Sequence, residues 1–174
     1  MSGVHADHEV QRRTEYEQIF RVHRRAVDRF VAATYPTVDR DEIVALTFEV
    51  AWRRLDDAPA DAVRGWLLGI ARNHARNAIR GRGRRRTVVD ALAATPTRRV
   101  SWLHDEHLSA ETARRLATAL DQLQDGDREV IELAAFGDLR GAELGVALGI
   151  SAGAASVRLH RARQRLVDIY GADQ

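Results

Sequence analysis

The sequence predicts an all-α protein made of two small helical units joined by a partly extended linker. Three observations lead there. Apolar residues recur at three- and four-residue spacing through both halves of the 174-residue chain, which is the mark of helical stripes. Alternating β-branched runs, which would mark strands, do not occur. The periodicity collapses once, from Gly81 to about His107, where Gly81 and Gly83 lie among arginines and Thr95-Pro96-Thr97 follows. The expected bounds are 1–82 for the first unit, 83–107 for the linker and 108–174 for the second unit.

In the first unit, Ile19, Val27, Phe30 and Val31 form one stripe. Tyr35-Pro36 ends it, because proline disfavours a helical residue before it. A second helix is expected after Thr37 to Arg40, with Ile43, Leu46 and Val50 inward and Phe48, Ala51, Trp52 and Leu55 alongside. Pro59 closes it, and Val63, Trp66, Leu67, Ile70 and His74 mark a third. This reads as a three-helix bundle, with room for a short extra helix before it. Within the linker, Val88 to Ala94 and Trp102-Leu103 are apolar enough to dock. In the second unit, Leu116, Leu120 and Leu123 form a stripe, Val130, Ile131 and Ala134 another, Leu144 and Leu148 a short third, and Leu159, Ala162, Leu166 and Ile169 a fourth.

Composition excludes several classes. With 45% hydrophobic residues the chain can build cores, while a mean hydropathy of −0.36 describes a soluble protein. No apolar run approaches the ~18 residues that span a bilayer, and Met1 to Arg13 lacks the apolar stretch of a signal peptide. No membrane insertion and a cytoplasmic location are therefore expected. There are no cysteines, which excludes disulfides and thiolate metal sites. The net charge of +2 is unevenly spread: five of the seven residues from Arg80 to Arg86 are arginine, whereas Asp39, Asp41, Glu42 and Asp56, Asp57, Asp61 are acidic. Such segregation points to separate faces for separate partners, one of them a polyanion.

The strongest local signal runs from Arg140 to Arg163. A short helix with Leu144 and Leu148 inward breaks at Gly149, where a left-handed residue is cheap. Ile150 is expected to plug the corner, Ser151 to cap the next helix, and Ala155 and Leu159 to pack back. This is the spacing of a helix-turn-helix, whose second helix enters the major groove of DNA. Ser151, Ser156, Arg158, His160, Arg161, Arg163 and Arg165 supply its polar and cationic chemistry, since a guanidinium can donate two parallel hydrogen bonds to phosphate or guanine. The residues at its start are small, so base readout there should be sparse and phosphate contacts important.

The segments Leu123-Gln-Asp-Gly-Asp-Arg-Glu-Val-Ile-Glu-Leu133, Leu148-Gly-Ile-Ser151 and Val157-Arg-Leu-His-Arg-Ala-Arg-Gln-Arg-Leu166 resemble the C-terminal DNA-binding domain of bacterial sigma factors, most of all the extracytoplasmic-function class of the sigma-70 family. Trp66-Leu-Leu-Gly-Ile-Ala-Arg-Asn73 resembles the signature helix of the same family's N-terminal domain, with Ala51-Trp-Arg-Arg-Leu55 at the expected distance before it. Two motifs in the right order cover nearly the whole chain. The resemblance implies a sigma-2-like bundle that binds the β′ clamp helices of core RNA polymerase and opens the −10 promoter element. It also implies a sigma-4-like helix-turn-helix domain that docks on the β flap and reads the −35 element. On this reading Arg72, Asn73, Arg76, Asn77 and Arg80 meet the melted −10 strand, amides on base edges and arginines on backbone. Arg82, Arg84, Arg85 and Arg86 contact phosphates, and Glu42, Ile43, Leu46, Glu49 and Arg53 bind core polymerase. The family's regulator is often an anti-sigma protein. Two departures stand out: Ala45 and Leu46 replace a usual polar pair, and Ala154-Ala155-Ser156 replaces the usual polar start of the recognition helix.

Rival readings remain open on the sequence. His104-Asp-Glu-His107 has two histidines three residues apart, but lacks a third ligand at a telling distance; no metal, no cofactor and no catalytic residues are expected, and the protein is not read as an enzyme. A conventional regulator binding duplex DNA alone as a dimer would leave Trp66 to Asn73 and the Arg80–Arg86 run without a specific role. A sigma-like protein that has lost initiation activity has only the Ala45-Leu46 pair in its favour.

Overall fold

The computed structural model describes residues 2–85 and 109–172. Among them every regular element is helical: α1 (Ser2–Thr34), α2 (Arg40–Arg53), a 3₁₀ turn at Leu55–Asp57, α3 (Val63–Arg85), α4 (Ala110–Gln122), α5 (Asp125–Ala135), α6 (Gly141–Leu148) and α7 (Ala152–Ala172). Arg86, the apolar stretches Val88 to Ala94 and Trp102-Leu103, and His104 and His107 lie outside the described residues.

Local chemistry sets most boundaries. Pro36 ends α1, whose last turn closes with the Tyr35 amide donating to the Val31 carbonyl at 2.9 Å. Asp39 caps α2 by accepting the Glu42 amide at 3.1 Å, and Asp41 and Glu42 place negative charge at the positive end of that helix. Ser109 caps α4 in the same way, accepting from the Thr112 amide at 3.1 Å. Two expectations change. The first helix is one continuous element of 33 residues rather than a stripe with a short extra helix before it. The third helix continues through Gly81 and Gly83 to Arg85. A glycine inside a helix costs only about 1 kcal/mol against alanine, and the surrounding arginines are good helix formers.

In the first unit α1, α2 and α3 pack pairwise. Ile19, Val27, Phe30 and Val31 are buried as their stripe requires. On α2 the inward set is Ile43, Val44, Thr47, Phe48 and Ala51, while Leu46 and Val50 are only half-buried; contact with both α1 and α3 draws the buried arc towards Val44 and Phe48. In the second unit Val130, Leu133, Leu144, Ala155, Leu159 and Ala162 are buried, and α4 lies against α7. The units touch. α3 packs on α1 and α2 with one side and on α6 with the other, so that Leu67 and Leu68, adjacent in sequence, both have no exposed surface. The buried residues of α1–α3 and α5–α7 form one continuous cluster.

Candidate nucleic-acid interface

The chain bends by 89° between α6 and α7, within a few degrees of the range of a helix-turn-helix. Gly149 makes the bend in the left-handed region, at φ +71°, and the Ile150 amide bonds back to the Gly145 carbonyl at 3.0 Å, which satisfies a carbonyl at the end of α6. Ser151 then caps α7, its Oγ accepting the Ala154 amide at 3.2 Å. Ala155, Leu159 and Ala162 face inward. Ile150 departs from expectation: it is 37% exposed and does not fill the corner. The turn lays its own backbone over α6 instead, so close that a Cβ at Gly145 would stand 2.8 Å from the Ile150 carbonyl oxygen. The Ile150 side chain is left outside.

Of the predicted residues on α7, Ser156, His160, Arg161 and Arg163 are exposed; the Ser156 hydroxyl donates to the Ala152 carbonyl at 3.0 Å. Ser151 is committed to the cap. Arg158 is half-buried, its guanidinium lying against Gly126 at the start of α5. Arg165 donates to the buried carboxylate of Asp127. One residue escaped the sequence reading. Val157 is 51% exposed and stands three residues from Ala154 and His160 and four from Gly153 and Arg161, in the middle of the outward stripe. Its helical register, in step with the outward-facing residues of α7, is the sequence signal for it.

On α3, Asn73, Asn77 and Arg80 are exposed, whereas Arg72 and Arg76 are half-buried. Both arginines turn towards the second unit. Arg72 Nη1 donates to the Ala147 carbonyl, and its Nε lies 2.8 Å from Glu129 Oε1, an ion pair not aligned as a hydrogen bond. Arg76 donates to the same carboxylate oxygen, a bond that raises its pKa above the ordinary arginine value. Arg80 donates to Asn77 Oδ1 and Arg82 to the Thr37 carbonyl; Arg84 and Arg85 lie in the last turn of α3. Of the residues expected to meet polymerase, Glu42, Glu49 and Arg53 are exposed and Leu46 half-buried. Ile43 is 1% exposed and belongs to the core. Beside these, Trp52 stacks edge-on against Tyr16 with ring centroids 5.1 Å apart, and Arg12 lies over the Trp52 ring.

Residues 113–166 match the family model described as Sigma-70, region 4, a span that covers nearly all of α4 and the whole of α5 and α6, and enters most of α7. The chain is 33% identical to RNA polymerase sigma factor CnrH of Cupriavidus metallidurans over 146 residues, covering 79% of this chain and 76% of that protein. It is 31% identical to RNA polymerase sigma factor CarQ of Myxococcus xanthus over 163 residues, covering 90% and 89%. Among solved structures, CnrH in complex with the cytosolic domain of CnrY superposes with a TM-score of 0.60 at 30% identity, over 91% of this chain and 89% of that one. The sigma factor RpoE in complex with the anti-sigma factor NepR from Bartonella quintana shares the fold, with a TM-score of 0.60 at 23% identity, over 91% and 98%. These similarities, together with a helix-turn-helix and a sigma-type α3 on one chain, show that the protein belongs to the extracytoplasmic-function sigma factors of the sigma-70 family and acts in transcription initiation.

Proposed function

We propose that each half of this sigma factor performs the task its surface chemistry fits. The observation that carries the reading is the pairing, on one chain, of an exposed cationic stripe on α7 with an exposed amide-bearing face on α3. On α7, Ser156, His160, Arg161 and Arg163 approach the −35 element in the major groove. On α3, Asn73 and Asn77 hydrogen-bond bases of the melted −10 strand, and Arg72, Arg76 and Arg80 hold its backbone. Arg82 and the arginines at the end of α3 add phosphate contacts, and Arg86 continues that run. Glu42, Leu46, Glu49 and Arg53 form the contact with the β′ clamp helices, and the second unit docks on the β flap. The chain performs no covalent chemistry; the polymerase makes the RNA.

The solved CnrH and RpoE structures hold CnrY and an anti-sigma factor respectively, and we extend to this chain a partner of the anti-sigma type. No single helix among the described residues is long and apolar enough to cross a membrane; the cytoplasm, where polymerase works, is the proposed location.

Run-off transcription with core polymerase over a genomic promoter library tests the reading. A core-dependent, promoter-specific transcript is expected, and its absence across the library overturns it. Asn73→Ala or Asn77→Ala should impair opening more than initial binding, and a pre-melted template should restore the transcript. Failure of that rescue removes the −10 role from these residues.

A further inference from the structure

One side of α3 is covered. Gly65, Leu68, Gly69, Arg72 and Arg76 recur along it at three- and four-residue spacing, and each of them meets the second unit. A Cβ placed at Gly65 would stand 2.1 Å from the Glu143 carbonyl oxygen, and one at Gly69 3.1 Å from that of Ala147. The backbones of α3 and α6 therefore touch, and a larger side chain at either glycine would push them apart. Beyond this seat, Glu129 of α5 receives both Arg72 and Arg76. The side chains of Arg72 and Glu129 are 16% and 12% exposed, that of Arg76 39%.

A carboxylate bridging two guanidiniums offers them the same charge and the same acceptor oxygens as a nucleic-acid phosphate. We propose that Glu129 is an internal latch: in the free chain it occupies the two arginines that would otherwise grip the melted strand, while Gly65 and Gly69 seat α6 against α3 and hold the two units closed. The proposal rests on the reading of α3 as the strand-binding face. Asn73, Asn77 and Arg80 stay exposed, so the latch masks the backbone grip and leaves the amides open. It is also built to release. Arg76 and Glu129 line an open cleft of about 690 Å³ between the units, together with Arg80, Asp125 and Arg128. Water reaches the Arg76 side of the latch, where salt screens the pair. A binding partner that engages both units from outside can separate them by parting the α3–α6 contact, which uncovers the buried Leu68.

The test uses the full chain. Because it contains no cysteine, Arg29→Cys on α1 and Val167→Cys on α7, both at exposed positions, can carry a spin-label pair without further changes. A single narrow distance distribution is expected for the parent chain. A longer, broader distribution is expected for Glu129→Gln and, separately, for Gly69→Leu, with helix content unchanged by circular dichroism. In parallel, the free chain is titrated with a short fluorescent single-stranded oligonucleotide of mixed sequence at low salt. Glu129→Gln should bind it about tenfold more tightly if the closed form holds about nine-tenths of the molecules, and adding Arg72→Ala and Arg76→Ala should abolish the gain. Glu129→Gln is nearly isosteric and keeps the test sound where Gly69→Leu compromises folding. Unchanged distances in Glu129→Gln overturn the latch, and opening without tighter binding overturns the masking. Failure of the α3 reading itself is separable, since it appears as a defect in transcription from a pre-melted template with core polymerase present.

Discussion

Arg161 and Arg165 stand four residues apart on α7, carry the same charge, and differ in what surrounds them. Arg161 is exposed on the outward stripe, whereas Arg165 is drawn to Asp127, whose side chain is 9% exposed. Removing one partner of such a pair leaves a nearly buried charge uncompensated. Arg161→Ala should therefore weaken binding of upstream duplex DNA by about 1–3 kcal/mol if it meets a base edge, with little change in thermal stability. Arg165→Ala should lower the melting temperature, and its loss of DNA binding should follow the loss of fold. Parallel melting curves and duplex titrations separate the two. Val157 is the other residue whose environment matters more than its type. A half-exposed β-branched side chain, with Gly153 and Ala154 on one side and His160 and Arg161 on the other, can rest on a thymine methyl, the one apolar group of the major-groove edge. Replacing that thymine by uracil should weaken the parent protein and leave Val157→Ser indifferent. Equal sensitivity of both proteins to the replacement would remove Val157 from the readout.

The elements owe their ends to short-range chemistry, which is why their order was legible. Pro36 stops α1, Asp39 and Ser109 cap α2 and α4, and Gly149 with Ser151 makes the turn of the DNA-binding motif. Ser151→Ala should cost about 1 kcal/mol through loss of the cap. Gly149→Ala, forced to hold a positive φ, should cost about 1–2 kcal/mol. Chemical denaturation of the full chain measures both, and a null effect at Gly149 would mean that α6 can end in another way. Helix faces were less legible than helix ends. Periodicity points to Ile43, Leu46 and Val50 as the α2 stripe, yet Val44, Thr47 and Phe48 are buried while Leu46 and Val50 are only half-buried, because a helix packed on two neighbours buries a wider arc than one stripe implies. The hydrophobicity of Ile150 points it to the corner, but the backbone over Gly145 takes that space.

At the scale of the whole molecule, the consequence is contact between the two units. With α3 held between α1, α2 and α6, the closed chain should scatter as a compact particle with a radius of gyration near 16 Å for a single globule of this length. Raising salt should increase that value if the partly exposed pairs at Glu129 contribute to closure. A radius well above it at low salt would mean that the units separate in solution. Core polymerase would then have to hold them in a different arrangement from this one, as the separate −10 and −35 tasks require.

The sequence by itself determined the helical class, the order of the helices, the cap at Ser151, the helix-turn-helix, and membership of the sigma family through two local motifs. These are legible because propensity, capping and stripe periodicity act over a few neighbouring residues. The tertiary structure alone decided that Arg72 and Arg76 bind Glu129 rather than standing free, that Arg158 lies against Gly126, and that Arg165 is tied to Asp127. Each of these depends on which helix lies opposite, and that is set by residues distant in the chain, which no local spacing encodes.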